Sequence, residues 1–149
     1  MTSKLFKLAL STTTSIAPLA LRIPLGVVLT AHGAQKLFGW FGGYGLEGTG
    51  QWMASIGFGP GMLMAFLAGS AEFFGGIALI LGLLTRPAAA VVAFTMVMAM
   101  TVHIGNGLFL ANNGYEFALI LLFAAVSLAI QGSGRFALDN PLKSWLEAR

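Results

Sequence analysis

The stretch LAGSAEFFGGIAL, residues 67–79, places one carboxylate, Glu72, in the middle of a long apolar segment. Burying an ionised carboxylate is costly unless the group finds a partner or loses its charge. At about 100° per residue, small side chains fall on or beside the helix face that holds Glu72, and small residues let membrane helices approach closely. Glu72 is therefore predicted to face other helices, on a packing face that includes Gly69, Gly75 and Gly76.

The composition is that of an integral membrane protein. Hydrophobic residues make up 57% of the 149 residues and charged residues only 9%, against roughly 25% charged in a typical globular protein. The net charge is +3, but the basic residues stand singly at the edges of apolar runs, so no nucleic-acid partner is predicted. The absence of cysteine excludes disulfides, iron–sulfur clusters and dithiol chemistry by this chain.

The apolar runs predict an all-α fold, an integral membrane four-helix bundle that forms a single domain over residues 1–149. Each run approaches the length of about 20 residues that spans a bilayer, and none shows the alternation of a membrane strand. Between the first two helices, a short surface helix is predicted around Thr49 to Ile56, as an anchored loop or as a lid over a site. The predicted transmembrane helices are 16–38, 60–84, 87–104 and 115–131.

The Lys and Arg residues predict the orientation of the bundle. With the N-terminus inside, only Lys36 remains on the outer side. Both termini are therefore expected in the cytoplasm, in a multi-pass protein of the bacterial inner membrane. The inner side would then hold Lys4, Lys7, Arg86, Arg135, Lys143 and Arg149.

Glu72 needs a partner, and Arg22 is the predicted one. Arg22 lies on the first helix near the inner third of the membrane, and Glu72 lies close to the middle. The long arginine side chain covers a gap of several ångströms, so a buried Arg22–Glu72 ion pair is expected. Removing either member would leave the other charge unpaired.

A second polar group gathers at the outer end of the bundle. His32 and Lys36 are four residues apart and share a helix face, and alternating helix directions bring the other members to a similar depth. This polar group has three interpretations: a hydrogen-bond network that holds the helices in register, a proton pathway, or a site for a small polar or quinone-like ligand. No His-x-x-His spacing supports a metal site, and none is predicted. The candidate ligand or proton-exchange residues are His32, Lys36, Glu72, His103, Asn106 and Glu116.

Four ordered motifs resemble the DoxX family of small bacterial membrane proteins. They are LRIPLGVVLTAHGAQKLFGWFGGYGLEGTGQWM (21–53), AEFFGGIALILGLLTR (71–86), HIGNGLFLANNGYEFALILL (103–122) and GSGRFALD (132–139). The last departs from a common GPG-Tyr-Ser-Leu-Asp ending, although Asp139 is retained. The positions that match the recurring pattern are Arg22, His32, Gly33, Lys36, Glu72, Gly75, Gly76, Arg86, His103, Gly114, Glu116 and Asp139.

The resemblance implies a four-helix inner-membrane protein linked to oxidoreductase assemblies or to responses to quinones and catechols. The expected function is a membrane component of a redox system that binds a quinone or similar molecule in the bundle. A soluble or membrane oxidoreductase partner would supply the electrons, because the sequence carries no intrinsic cofactor motif. The alternative is a non-catalytic membrane scaffold or small-molecule permease. Catalytic residues, enzymatic activity and homo-oligomerisation are left open.

Overall fold

The computed structural model describes residues 8–148 and contains six α-helices in that part of the chain. Short 3-10 turns lie in the connections after the first and fourth of these helices. No strand occurs among residues 8–148, in agreement with the predicted all-α class. The helices are α1 (Ala17–Phe38), α2 (Gly45–Ser55), α3 (Gly61–Leu81), α4 (Thr85–His103), α5 (Glu116–Gln131) and α6 (Asp139–Glu147).

Glycines bring α1 and α3 into backbone contact, in antiparallel directions. A Cβ atom on Gly33 would lie 2.7 Å from the Gly69 carbonyl oxygen, and one on Gly76 would lie 2.7 Å from the Gly26 carbonyl oxygen. Gly75 faces the opposite way, since its Cβ would lie 2.9 Å from Cγ2 of Val92 on α4. The predicted packing glycines therefore lie in helix contacts, where a larger residue would separate the helices.

The core lies between α1, α3, α4 and α5. Its centre is a layer of aliphatic side chains and Met96, which have almost no exposed surface. Large apolar side chains on the outside of the helices stay exposed, as a lipid-facing surface requires. The buried cluster comprises Leu25, Leu29, Leu79, Ala89, Val92, Met96, Leu121, Ala125 and Leu128.

Three helices, α1, α3 and α4, are long and apolar enough to cross a membrane. Helix α5 is apolar but has only 16 residues, a length of about 24 Å against about 30 Å of hydrocarbon. Helix α6 was not predicted from the sequence. The predicted inner-side residues Lys4, Lys7 and Arg149 lie outside the described residues.

The α3–α4 turn differs from the prediction, which placed it at Thr85–Pro87. Helix α3 ends three residues early, at Leu81, because Gly82 takes the left-handed conformation (φ 65°) that terminates helices. Helix α4 begins at Thr85, because the Asp139 carboxylate accepts hydrogen bonds from the Leu84 and Thr85 amides (2.6 and 3.1 Å). Pro87 falls in the first turn of α4, where the missing N–H costs little.

The predicted surface helix is present as α2 and is firmly seated on α3. A Cβ on Gly50 would lie 3.0 Å from the Met62 Cα atom, and Gly50 and Thr49 are both buried. Helix α2 therefore packs backbone to backbone against the start of α3. This contact favours the anchored-loop interpretation over that of a lid that opens freely.

Candidate functional site

A cavity of about 180 Å³ lies between α1, α3, α4 and α5, and is named here the Glu72 cavity. Four of the predicted polar residues contribute to its wall: His32, Lys36, Glu72 and His103. The rest of the wall is mainly apolar, with short contributions from the α4–α5 connection. These other lining residues are Leu29, Met96, Ala99, Leu110, Asn113, Gly114, Phe117, Ala118 and Leu121.

Glu72 forms an ion pair with Lys36. The Lys36 Nζ atom lies 2.6 Å from Glu72 Oε2, and the Glu72 side chain is only 6% exposed. The glycine register explains the pairing, because contact of Gly33 with Gly69 and Phe73 sets Glu72 level with the second half of α1. The predicted Arg22–Glu72 pair is therefore wrong. Arg22 lies 14 residues before Lys36, about 21 Å along the helix.

Arg22 instead binds backbone carbonyl groups at the other end of the bundle, named here the Arg22 end. Its Nη1 atom donates to the carbonyls of Leu79 (3.1 Å) and Ile80 (2.5 Å), and Nε donates to that of Ser133 (3.1 Å). Nη2 donates to the Phe136 carbonyl. The last carbonyls of α3 have no partner within the helix, and a cation near them is favourable. Arg22 is thus a structural link between α1, α3 and the segment before α6.

His103, Asn106 and Glu116 meet around the α4–α5 connection, at the end named here the His103 end. His103 Nδ1 and Asn106 Nδ2 both lie within hydrogen-bond distance of the Asn113 carbonyl oxygen (2.9 and 3.2 Å). Glu116 accepts a hydrogen bond from the Leu110 amide (2.5 Å). Of these three residues His103 lines the Glu72 cavity, whereas Asn106 and Glu116 hold the connection that forms its rim.

His32 contacts the aromatic ring of Phe117, with ring centroids 5.8 Å apart. Both side chains line the Glu72 cavity, so one wall carries a titratable ring beside an apolar ring. Sequence reasoning missed Phe117 and Leu110, whereas it expected the Asn112–Asn113 turn to lie above the polar layer, and Asn113 does line the cavity. The sequence signal was weak, because Leu110 reaches the cavity through the fold of the α4–α5 connection, which helical periodicity does not describe, and Phe117 follows that connection at the start of α5.

A second, larger pocket of about 490 Å³ lies between the end of α1 and α2, and is named here the loop pocket. Lys36 lines both this pocket and the Glu72 cavity. Aromatic side chains and glycine backbone form much of its remaining wall. The lining residues are Gln35, Lys36, Gly42, Gly43, Tyr44, Gly48, Thr49 and Trp52.

No group of three His, Asp or Glu side chains that could hold a metal ion occurs in the described part of the chain, residues 8–148. The wall of the Glu72 cavity does hold two imidazoles and one carboxylate, but they do not form such a group. Its carboxylate is engaged by the Lys36 ammonium. The arrangement offers one ammonium donor, one carboxylate and two imidazole rings around a mostly apolar space.

Comparison with known proteins identifies a family and several relatives of this chain. The DoxX family model matches residues 17–104. A Bacillus subtilis (strain 168) protein named "Putative oxidoreductase CatD" is 34% identical over 124 residues, which cover 83% of this chain and 85% of that protein. An uncharacterized Haemophilus influenzae protein is 40% identical over 81 residues, which cover 52% of this chain and 60% of that protein. No solved structure matches the chain.

Proposed function

Because this chain belongs to the DoxX family, we propose that it is a membrane component of a redox system that binds a single-ring quinone in the Glu72 cavity. The observation that carries the proposal is the cavity itself, a mostly apolar space with an ammonium, a carboxylate and two imidazoles in its wall. Ligand sites commonly combine an apolar lining with a few polar groups that fix orientation.

The size of the cavity supports a ligand with one ring. An apolar protein cavity of about 150 Å³ accommodates benzene, and the Glu72 cavity measures about 180 Å³. The volume is therefore of the order that a substituted benzoquinone ring requires. Phe117 and Leu29, which both line the cavity, supply apolar surface for the faces of such a ring.

The polar groups have roles that suit the two oxygens of a quinone. Lys36 has three N–H donors and uses one on Glu72, so its ammonium can also donate to a ligand carbonyl. His32 and His103 can donate or accept a proton. A bound quinone accepts two electrons and two protons to become a hydroquinone. The side chains in the wall can deliver those protons, and an oxidoreductase partner would supply the electrons.

The proposed topology has four spans, with both termini in the cytoplasm. Helix α5 contributes Leu121, Ala125 and Leu128 to the same core as the three long helices, which supports a crossing despite its length. A short span is accommodated by local thinning of the bilayer at modest cost. Arg86 and Arg135 lie at the Arg22 end, where Arg86 Nε donates to the Ser11 carbonyl (2.8 Å) and Arg135 N to that of Ser15 (3.1 Å). This supports a cytoplasmic location for that end.

The test is identification of the bound molecule. We expect organic extraction and mass spectrometry of protein purified in mild detergent to show a benzoquinone-type molecule at a substoichiometric to stoichiometric ratio. Added 2,6-dimethyl-1,4-benzoquinone should also quench tryptophan fluorescence saturably and reversibly on dilution. Absence of both a co-purified quinone and saturable quenching would refute the proposed function.

A further inference from the structure

The two pockets at the His103 end share one side chain, that of Lys36. Its ammonium lies 2.6 Å from Glu72 Oε2 in the Glu72 cavity, and its side chain also lines the loop pocket. The Lys36 side chain is 24% exposed against 6% for Glu72. Lys36 therefore forms a partition, with the buried carboxylate on one side and the more accessible loop pocket on the other.

The loop pocket has the chemistry to receive a small aromatic molecule from water. Trp52 and Tyr44 supply aromatic faces, and Gln35, Lys36 and Thr49 supply polar groups around them. Aromatic residues bury large areas and stack on other rings. An oxygen acceptor on such a ring could take a hydrogen bond from Lys36. This combination suits one aromatic ring that carries carbonyl or hydroxyl oxygens.

The walls of the loop pocket are fixed in place by close backbone contacts. A Cβ on Gly43 would lie 2.5 Å from the Gln35 Cα atom, and Gly50 packs on Met62 with similar closeness. The opposite rim of the Glu72 cavity is also held, because Asn113, Leu110 and Glu116 join the hydrogen bonds of the α4–α5 connection. Lys36, a flexible side chain with one ion pair, is common to the linings of the two pockets, so its rotation is a movement that would join them.

We propose that the loop pocket is an entry site, where a single-ring aromatic bearing oxygen acceptors docks from the aqueous phase and then passes Lys36 into the Glu72 cavity. A ligand oxygen would replace Glu72 as the acceptor for the Lys36 ammonium during passage, so the charge would keep a partner. The inference rests on the proposed function, since it assumes that the Glu72 cavity is the destination.

The experiment uses the absence of cysteine from the chain. A Tyr44→Cys variant, at a position that is 85% exposed and lines the loop pocket, would be blocked with a bulky maleimide. Ser55→Cys, an exposed position at the far end of α2 and outside the pocket lining, is the matched control. Phe117→Trp, with Trp40, Trp52 and Trp145 changed to Phe, would place the fluorescent reporter in the Glu72 cavity. Stopped-flow quenching by 2,6-dimethyl-1,4-benzoquinone would give the rate constants.

A blocked entry route changes the barrier to binding and leaves both end states unchanged. We therefore expect the Tyr44→Cys label to lower the association and dissociation rate constants by the same factor, about tenfold for each 1.4 kcal/mol of added barrier. The Ser55→Cys label should change neither. Unchanged rates with retained binding would overturn the entry route alone and indicate access from the bilayer. Absence of quenching in the unlabelled reporter protein would overturn the proposed function and the route with it.

Discussion

At the scale of single residues, the buried charge of Glu72 is balanced by a cation whose identity depends on the alignment of α1 with α3. Lys36 and Glu72 meet because glycine contacts set α1 and α3 at one register, and Arg22 satisfies carbonyls at the Arg22 end. The sequence showed that Glu72 needs a partner and faces other helices. The sequence did not show which cation pairs with Glu72. The register of α1 against α3 depends on backbone contacts between Gly33 and Phe73, which helical periodicity does not define.

A double-mutant cycle tests the Lys36–Glu72 pair. Lys36→Met and Glu72→Gln should each destabilise the protein, and the double variant should recover part of the loss, with a coupling energy of about 0.5–3 kcal/mol. The reason is that either single change leaves a largely buried group without its charged partner. Thermal unfolding in detergent measures the effect. The Arg22→Gln and Glu72→Gln pair is the control, and we expect its losses to add.

Asp139 carries a second prediction at this scale. It is 1% exposed and accepts the amide hydrogen bonds that begin α4. Asp139→Ala should lower the free energy of unfolding by about 1–3 kcal/mol, because buried amides lose their acceptor. Asp139→Asn should cost less, since it keeps one acceptor oxygen. Glu147→Gln at the exposed end of α6 is the control, and an equal effect of Glu147→Gln and Asp139→Ala in thermal unfolding would contradict the account.

At the scale of elements, glycine spacing determines which helices pack. The small-residue face of α3 was predictable from residues 67–79, because periodicity alone aligns Gly69, Glu72 and Gly76. The helix that each glycine contacts was not predictable, since Gly75 packs on α4 while Gly76 packs on α1. Helix ends were shifted by contacts from distant segments, as when Asp139 caps α4. Single-sequence reasoning has no access to such contacts.

Gly76→Ala tests the α1–α3 contact. The added methyl would lie 2.6 Å from the Thr30 amide nitrogen and 2.7 Å from the Gly26 carbonyl oxygen, so both backbones must move. We expect a loss of about 1–3 kcal/mol in unfolding free energy. Gly105→Ala is the matched control, because no atom lies within 4 Å of its added Cβ. Equal stability of the two variants would show that the helices tolerate separation.

At the scale of the whole molecule, the bundle has two different ends. Arg22 and Asp139 close one end with a dense set of backbone hydrogen bonds, whereas the two cavities lie at the other. The membrane character and the all-α class followed from the sequence. The cavity did not follow from the sequence, because its volume depends on where the α4–α5 connection places Leu110 and where the start of α5 places Phe117.

The proposed topology predicts which end is accessible from outside the cell. In spheroplasts, a membrane-impermeant maleimide should label Ser55→Cys directly and Ser144→Cys only after permeabilisation, since both positions are exposed and lie on α2 and α6. The cysteine-free chain provides a clean background. Labelling of both from outside would contradict a crossing by α5, and the reverse pattern would contradict the orientation.

The central claim is that a single-ring quinone occupies the Glu72 cavity, and filling that cavity tests it most directly. Ala99→Phe places a ring in the cavity, whereas Ala90→Phe places the same ring on the exposed face of α4. The measurement is the equilibrium dissociation constant of 2,6-dimethyl-1,4-benzoquinone from tryptophan quenching, with thermal unfolding to confirm that both variants fold. Both changes are made in the Phe117→Trp reporter protein that lacks the native tryptophans, because Trp52 lines the loop pocket and would also report docking there. We predict that Ala99→Phe abolishes saturable quenching of this reporter and that Ala90→Phe leaves it unchanged. Equal binding by both folded variants would contradict the claim.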